Sequence, residues 1–385
     1  MLFSNMTILY IISTTKMDGS TMSFLSVLEY VSKKGCNVLV VIPDNNNDFI
    51  RRLDNMNVKH FVVPVEADCW PGFFGLKRLV SYPYVFLRDY RKQIRSRRAV
   101  SRIVESFHPD IIHTNVSPID VGYFASRKYG IPHIWHIREY CDKDFNLSLF
   151  PSKRSYRNKI KDSFSICITH DLQKYYGLCS SKNSYVIYNG VRSMDNKHYI
   201  SEKQHYFLCA SRVSEDKDQL RTIRVFAKFC KKHPDYKLVI LGDGYDYYIN
   251  WCKTLSKELD IENNVIFEGY QSDVDCYMKE ATALLVASPS EGFGRMTAEA
   301  AFCGCLVIGY DKAGTREVLR ETGGFLWNSD DEYYDSMEKV VKMNSEDYME
   351  KALNAQKVAA RLYSTESYVD NVYSVYEKAL GLNRG

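Results

Sequence analysis

The chain has 385 residues, 45% of them apolar and 25% charged, with a formal net charge of +4. That length accommodates two domains of ordinary size, and the composition is that of a globular protein. The charge is too small to imply nucleic acid by itself, and no apolar run is long enough to span a bilayer.

Eleven cysteines are scattered without a CxxC pair; the closest spacing is Cys303-x-Cys305. Apolar neighbours, as around Cys167 in SFSICIT and Cys209 in YFLCA, predict reduced core thiols and a cytoplasmic protein. The opening MLFSNMTILYIIST carries no basic residue and no small-residue cleavage site, so no signal peptide is expected.

Taken in order, MTILYII (6–12) reads as a buried strand. A helix follows with Phe24, Leu25, Leu28 and Val31 on one stripe, ended by Gly35. NVLVVI and HFVV supply the next strands. Beyond a long basic segment come PDIIHT, a helix over 119–129, PHIWHI, SFSICIT and SYVIY. Strand and helix alternating at this spacing imply parallel βαβ units.

The alternation then restarts. HYFLCA reads as a strand, and 216–232 as a helix with Leu220, Ile223, Phe226 and Cys230 inward. YKLVIL, a helix to about residue 259, NVIFEG, a short helix, TALLVAS, another helix, CLVIGY and GGFLW follow. The tail, 348–380, is mostly helical, and the break between the halves falls in the polar stretch 192–204. The expected fold class is α/β: two doubly wound Rossmann-like domains facing a cleft. In such sheets ligands bind beyond the carboxyl ends of the strands.

TALLVAS ends in such a loop, SPSEGFGRMTAEA at 288–300. Pro289, Gly292 and Gly294 delay the helix, which is expected to start near Gly294. Glu291 then lies in the loop and Glu299 in the second turn. Glycines let a ligand approach the backbone. The N–H groups of Phe293, Gly294 and Arg295 would face an anion at the helix start. Carboxylates flanking an anion site repel the anion unless they accept hydrogen bonds from sugar hydroxyls. Glu299 suits a ribose diol and Glu291 a second sugar; phosphate flanked by two sugars is a nucleotide-sugar. The alternative is a tight loop with Glu291 solvated and Glu299 on an outer face.

Arg212 and Lys217 lie just past YFLCA, where both could reach a diphosphate, one as a fork and one as a point charge; surface charge on a loop is the alternative. ILGDGYDY supplies Gly242-x-Gly244, but Tyr247 stands where a dinucleotide fingerprint needs a third glycine.

In order along the second half, SRVSEDKDQL, LVILGDG, VIFEGYQSD, SPSEGFGRMTAEA and GTREVL resemble the donor domain of a retaining GT-B glycosyltransferase, specifically family 4, whose members often build bacterial capsule and lipopolysaccharide. YNGVR at 188–192 resembles that family's motif before its second domain. The resemblance implies an N-terminal acceptor-binding domain over 1–195, a nucleotide-sugar donor domain over 196–364, and a final helix, 365–385, crossing back to the first domain.

It further implies that Arg212, Lys217, Gly294 and Gly19 contact the donor diphosphate, Gly19 standing followed by Ser20 where the family often has two glycines. Glu299 would bind the ribose. Glu291, with Gly292 and Phe293, would bind the donor sugar. Gly269, Tyr270 and Gln271 would lie near the base. His136, near the end of PHIWHI, would reach the donor sugar and, with Glu291, forms the catalytic pair; a core histidine is the alternative reading.

The segment 77–102 holds Lys77, Arg78, Arg88, Arg91, Lys92, Arg95, Arg97, Arg98 and Arg102 against one acid, Asp89. Trp70, Phe73, Phe74, Tyr82, Tyr84, Phe86 and Tyr90 accompany it. Arg88, Arg91, Lys92, Arg95 and Arg98 are candidates for an anionic membrane surface or a polyprenyl-diphosphate-linked acceptor; a solvated helix face is the bland reading. No RNA motif appears, and no nucleic-acid partner is expected. Asp273-x-Asp275 follows Ser272 in a helix-capping context, so no metal is assigned and no cofactor expected.

The expected reaction moves a sugar from a nucleotide diphosphate, UDP ahead of GDP, to a hydroxyl of a glycan or lipid-linked acceptor with retention. The setting is cell-surface polysaccharide synthesis in the cytoplasm, with peripheral attachment to the inner membrane face left open. A nucleotide-sugar 2-epimerase and a non-catalytic nucleotide-sugar-binding protein are the rivals.

Overall fold

The computed structural model describes residues 6–382 apart from 18, 66, 72–75, 117, 146, 150–151 and 198. The chain divides into two compact units, one of residues 1–188 with 368–385, the other of 189–367. The dividing points thus fall at Tyr188/Asn189 and Ser367/Tyr368.

The first unit is built on a seven-stranded parallel sheet. In space the third strand (Lys59–Val62) is followed by the second (Asn37–Ile42), first (Thr7–Ile12), fourth (Ile111–Asn115), fifth (His133–Ile137), sixth (Phe164–Cys167) and seventh (Ser184–Val186). This third-second-first-fourth order is that of a doubly wound fold. Side chains alternate between its faces. Ile8, Tyr10, Ile12, Val38 and Val40 pack with Phe24, Leu28 and Val31 of helix Gly19–Lys33. Leu9, Ile11, Leu39 and Val41 pack on the other face with Val100, Ile103 and Val104 of helix Leu76–Phe107. Burial on both faces explains why these strands read as continuous apolar runs; each such aliphatic side chain contributes about 1.5–3 kcal/mol. Tyr368, Val372 and Tyr376 of helix Thr365–Ala379 join the first of these two clusters.

The second unit repeats the scheme with six strands. Val265–Gly269, Lys237–Leu241, Gln204–Ala210, Ala281–Val286, Val307–Tyr310 and Phe325–Trp327 lie side by side, all parallel. Phe207, Cys209, Leu238 and Ile240 face Ile223, Phe226 and Tyr248. Leu208, Val239 and Leu284 face Ala300 and Cys303. Both ends of this unit's chain meet: Val191 N donates to Tyr363 O (2.9 Å) and Thr365 N to Arg192 O (2.8 Å).

Three local expectations change in detail. The stretch expected as one helix over 216–232 is a single 3-10 turn, Glu215–Lys217, then helix Gln219–Cys230. Between them Asp218 adopts φ 52° and caps the helix by accepting from Arg221 N; a short polar side chain tolerates that left-handed backbone. The short helix after strand Val265–Gly269 is Val274–Glu280, and Asp273, not Ser272, is its N-cap, accepting from Cys276 N at 3.3 Å. The tail is two helices, Ser345–Tyr363 and Thr365–Ala379, interrupted at Ser364 in extended conformation.

Candidate functional site

Two cavities adjoin at the carboxyl ends of the second unit's strands. The first, about 240 Å³, is lined by Ala210, Ser211 and Arg212 after one strand, Lys217 and Gln219 of the next turn and helix, and Ser288, Glu291 and Gly294–Thr297 after another. The second, about 500 Å³, shares Ala210, Ser211, Arg212 and Met296 and adds Gly242–Tyr245, Tyr270, Gln271 and Val274.

The walls of the first cavity follow from local chemistry. Gln219 Nε2 donates to Ser211 Oγ (3.1 Å) and Arg212 O (2.9 Å), tying the loop back to the helix start. The backbone continues past the strands as paired loops: Ser211 N donates to Leu241 O and Val213 N to Asp243 O. Gly294, with φ 80°, is the N-cap of helix Arg295–Phe302. That left-handed turn aims the helix's amino end at the cavity, where the first-turn N–H groups and the helix dipole favour an anion.

Lys217 Nζ donates to Glu291 Oε1 across this cavity and lies 3.9 Å from Asp216. Arg212 is more exposed; its Nη2 reaches both oxygens of Asp216 (3.3 and 3.2 Å), and its Nε donates to Ser214 Oγ. Burial raises the Asp216 carboxyl, but the Ser214 hydroxyl, Lys217 and Arg212 outweigh it and hold the group below its ordinary range. Each cation thus has a movable carboxylate partner that a phosphate can replace.

Glu299 does not line either cavity. It sits in the second turn, 4% exposed, with Arg295 Nε 2.7 Å from Oε1 and Arg192 Nη2 2.9 Å from Oε2. Arg192 also binds Asp275 (2.5 Å), so Asp275 pairs with an arginine. Burial alone would lower the Arg192 pKa; Glu299 and Asp275 outweigh it and raise it. Phe293 buries its ring against Tyr363 (centroids 5.5 Å), while Gly292 is half-buried and lines neither cavity. Tyr270 and Gln271 line the second cavity; Gly269 lies behind them, accepting from Gly242 N at 2.7 Å. Among the described residues no group of three or more potential ligands gathers to hold a metal.

In the first unit, Gly19 is exposed at the start of its helix. His136 is 1% exposed within a chain of polar side chains: Nδ1 lies 3.3 Å from His113 Nε2 and 3.5 Å from Arg138 Nη2. Burial, then Arg138 and His113, holds its pKa well below the ordinary imidazole value. Arg88, Arg91, Lys92, Arg95 and Arg98 are exposed on helix Leu76–Phe107, with Tyr84, Leu87 and Tyr90 exposed among them. Arg97 differs: it pairs with Asp120 at 3.2 Å and covers the Phe124 ring at 3.6 Å. The side chains of Trp70, Phe73, Phe74, Lys77, Arg78, Tyr82, Phe86 and Asp89 lie outside the described residues.

Thr297 was not anticipated. It lines the first cavity, is 1% exposed, and its hydroxyl has no hydrogen-bond partner among the described residues. Its place in the first turn of a glycine-capped helix was the available signal.

Two family models match this chain in tandem: Glycosyltransferase Family 4 over residues 17–193 and Glycosyl transferases group 1 over 191–358. The chain belongs to the GT-B glycosyltransferases. Among curated relatives, this glycosyltransferase is 30% identical over 195 residues to the N-acetylgalactosamine-N,N'-diacetylbacillosaminyl-diphospho-undecaprenol 4-alpha-N-acetylgalactosaminyltransferase of Campylobacter jejuni, covering 48% of this chain and 51% of that one. It is 27% identical over 263 residues to the alpha-monoglucosyldiacylglycerol synthase of Streptococcus pneumoniae, covering 60% and 59%. The chain thus spans between about half and three-fifths of the length of these two relatives. Anabaena HepE, solved in complex with UDP, shares the fold with a TM-score of 0.78 at 19% identity, over 97% of this chain and 100% of that one.

Proposed function

We propose that this glycosyltransferase is a retaining enzyme that moves a sugar from a UDP-sugar to a hydroxyl of a lipid-linked or glycan acceptor in cell-surface polysaccharide synthesis. One observation carries the reading: two adjoining cavities meet where Arg212 lines both, with Lys217 and the amino end of helix Arg295–Phe302 in the first. A diphosphate at the junction sets its base beside Tyr245 and Tyr270 and its sugar toward Glu291. The UDP complex of the similarly folded HepE and the diphospho-undecaprenol named in the Campylobacter relative support donor and acceptor class.

The chemistry follows from charge. As the glycosidic bond to phosphate breaks, the sugar gains oxocarbenium character and negative charge grows on the leaving oxygen. Arg212, Lys217 and the helix terminus are preorganised to stabilise that charge. Cationic side chains and backbone N–H groups thereby do the work without a metal. In a front-face reaction the departing phosphate oxygen takes the acceptor's proton, so the protein need not supply a base. Glu291 orients the sugar by accepting from its hydroxyls.

A 2-epimerase needs acid–base groups beside the sugar, whereas Glu291 is the one carboxylate among the residues lining the first cavity. The deciding experiment is a panel of UDP- and GDP-sugars tested by calorimetry, followed by mass spectrometry with lipid-linked and free glycan acceptors. Transfer with retention supports the reading. Donor turnover without acceptor, or tight binding with no turnover across the panel, overturns it in favour of the epimerase or the non-catalytic binder.

A second element of the reading is peripheral attachment at an anionic membrane. Arg88, Arg91, Arg95 and Arg98 recur at three- and four-residue steps along one stripe of an exposed helix, beside Tyr84 and Leu87. Such a stripe suits anionic headgroups at about 1 kcal/mol per cation. Among the described residues no helix is long and apolar enough to cross a membrane. Flotation with anionic vesicles, lost on neutral ones and in an Arg91→Glu, Arg95→Glu variant, tests it; equal flotation of that variant rules it out.

A further inference from the structure

The polar chain inside the first unit has a direction. An arginine side chain carries only hydrogen-bond donors. Arg138 Nη2 lies 3.5 Å from His136 Nδ1, so that nitrogen is the acceptor and the ring proton belongs on Nε2. His113 Nε2, 3.3 Å from the same Nδ1, must then donate as well. With its proton on Nε2, His113 has a bare Nδ1, and that atom accepts from Tyr376 OH at 2.7 Å. Tyr376 OH in turn accepts from Tyr10 OH at 2.9 Å. This assignment gives every contact one donor and one acceptor, with Arg138 and His113 sharing the single Nδ1 lone pair of His136. It leaves His136 Nε2–H, fully buried and without a partner among the described residues.

A buried donor left unpaired costs roughly 1–3 kcal/mol, and such a cost is retained where a ligand supplies the acceptor. We propose that Arg138 and His113 are positioning residues that lock His136 as a neutral Nε2–H donor to a substrate oxygen, and so deny it the role of base. The inference rests on the reading that His136 serves the transfer reaction, and it assigns the two residues that set its chemistry.

The surroundings agree. Among the described residues, the titratable and charged groups facing His136 are His113 from strand Ile111–Asn115, Arg138 just past its own strand, and Tyr368 from helix Thr365–Ala379, whose ring is 6.1 Å away. Tyr376 and Tyr10 act through His113. None of these is a carboxylate that would stabilise an imidazolium, and Arg138 opposes one. Arg138 is itself held by Asn115 Oδ1 (3.0 Å) and by its bond to Tyr368 OH (2.7 Å).

The test combines a spectrum with kinetics. Long-range ¹H–¹⁵N correlation on ¹⁵N-histidine-labelled protein is expected to show His136 protonated at Nε2 and bare at Nδ1, unchanged from pH 8 to 5.5. Arg138→Lys, a donor-only side chain, keeps that pattern. Arg138→Met loses it and brings an acid limb to kcat; should that variant not fold, the wild-type and lysine spectra still decide. His136→Gln, which donates but is no base, is expected to keep activity within about tenfold, while His136→Ala loses about a hundredfold, the size of one lost transition-state donor. A proton on Nδ1, a His136 titration between pH 6 and 7, or no rescue by glutamine overturns the proposal. The expected spectrum with full activity in His136→Ala would instead leave the lock standing and sink the reading of His136 as a substrate contact.

Discussion

Arg192 and Glu299, 107 positions apart, form an ion pair of 2.9 Å in the second unit, with Glu299 6% exposed at its side chain. Arg192 lies in the segment whose backbone pairs with Thr365, and it holds Asp275 as well. Replacing Arg192 with leucine leaves Asp275 without its arginine and the buried Glu299 held by Arg295 alone. The second unit is expected to lose about 2 kcal/mol, less than the roughly 3–5 kcal/mol scale for a buried charge left wholly unpaired, because Arg295 remains. Urea titration of the purified protein measures it. Asp275→Asn, which leaves the Arg192–Glu299 pair whole, is expected to cost under about 1 kcal/mol. Equal costs for the two variants would show that the Glu299 contact carries no special weight.

The Lys217–Glu291 pair sets two roles against each other. Lys217 serves a diphosphate only after leaving the Glu291 carboxylate. Glu291→Gln removes that competitor and one negative charge from the cavity, so UDP is expected to bind several-fold more tightly while kcat falls by about a hundredfold. Lys217→Ala should weaken UDP and slow transfer together. Calorimetry beside initial rates separates the cases; weaker UDP binding in Glu291→Gln contradicts the competition.

Gly244 is fixed by its neighbour. A Cβ there would meet the backbone Val213 O at 2.0 Å, and Val213 and Gly244 form the bridge that pairs two loops at the second cavity. Gly244→Ala is therefore expected to shift backbone, cost more than about 2 kcal/mol and impair UDP binding. At Gly130 no described residue lies within 4 Å of the added carbon and its φ of 68° is the unfavourable feature, so alanine should cost about 1 kcal/mol with donor affinity unchanged. Melting temperatures and UDP titrations of the pair make the comparison.

Sheets and helices were legible because parallel strands buried on both faces leave unbroken apolar runs, as in TILYII and KLVIL. The site's loops were legible because they follow those strands: Arg212, Lys217, Glu291 and Gly294 do share a cavity. What the pattern hid was pairing at long range. Nothing local to Glu299 announces Arg192, and nothing near His113 announces Tyr376, 263 residues on. Arg295, four residues before Glu299, was readable as a helical ion pair, yet its consequence, a carboxylate already engaged at both oxygens, emerges only with Arg192 in place. The left-handed Asp218 that divides 3-10 turn from helix was likewise a matter of backbone geometry that composition does not reveal.

Three buried histidines give the first unit an acid limit. Burial pushes His133 down to about 3, and burial with Arg138 holds His113 and His136 well below the ordinary value. In the unfolded chain each titrates near ~6.5. Below that pH the unfolded chain binds protons that the native state refuses. Their contribution is therefore fully present above about pH 6.5 and drains away as pH falls toward the native values. Each histidine contributes a slope of about 1.4 kcal/mol per pH unit, about 4 for the three where all are charged only in the unfolded chain. Urea titrations between pH 7 and 5 should show stability falling with acid on top of any carboxylate effect. His133, bonded to Thr114 Oγ1 at 2.8 Å, is the cleanest to remove: His133→Gln is expected to flatten the slope by about 1.4 kcal/mol per unit, whatever it costs at pH 7. An unchanged slope in that variant would mean that His133 is charged in the folded protein, against its complete burial.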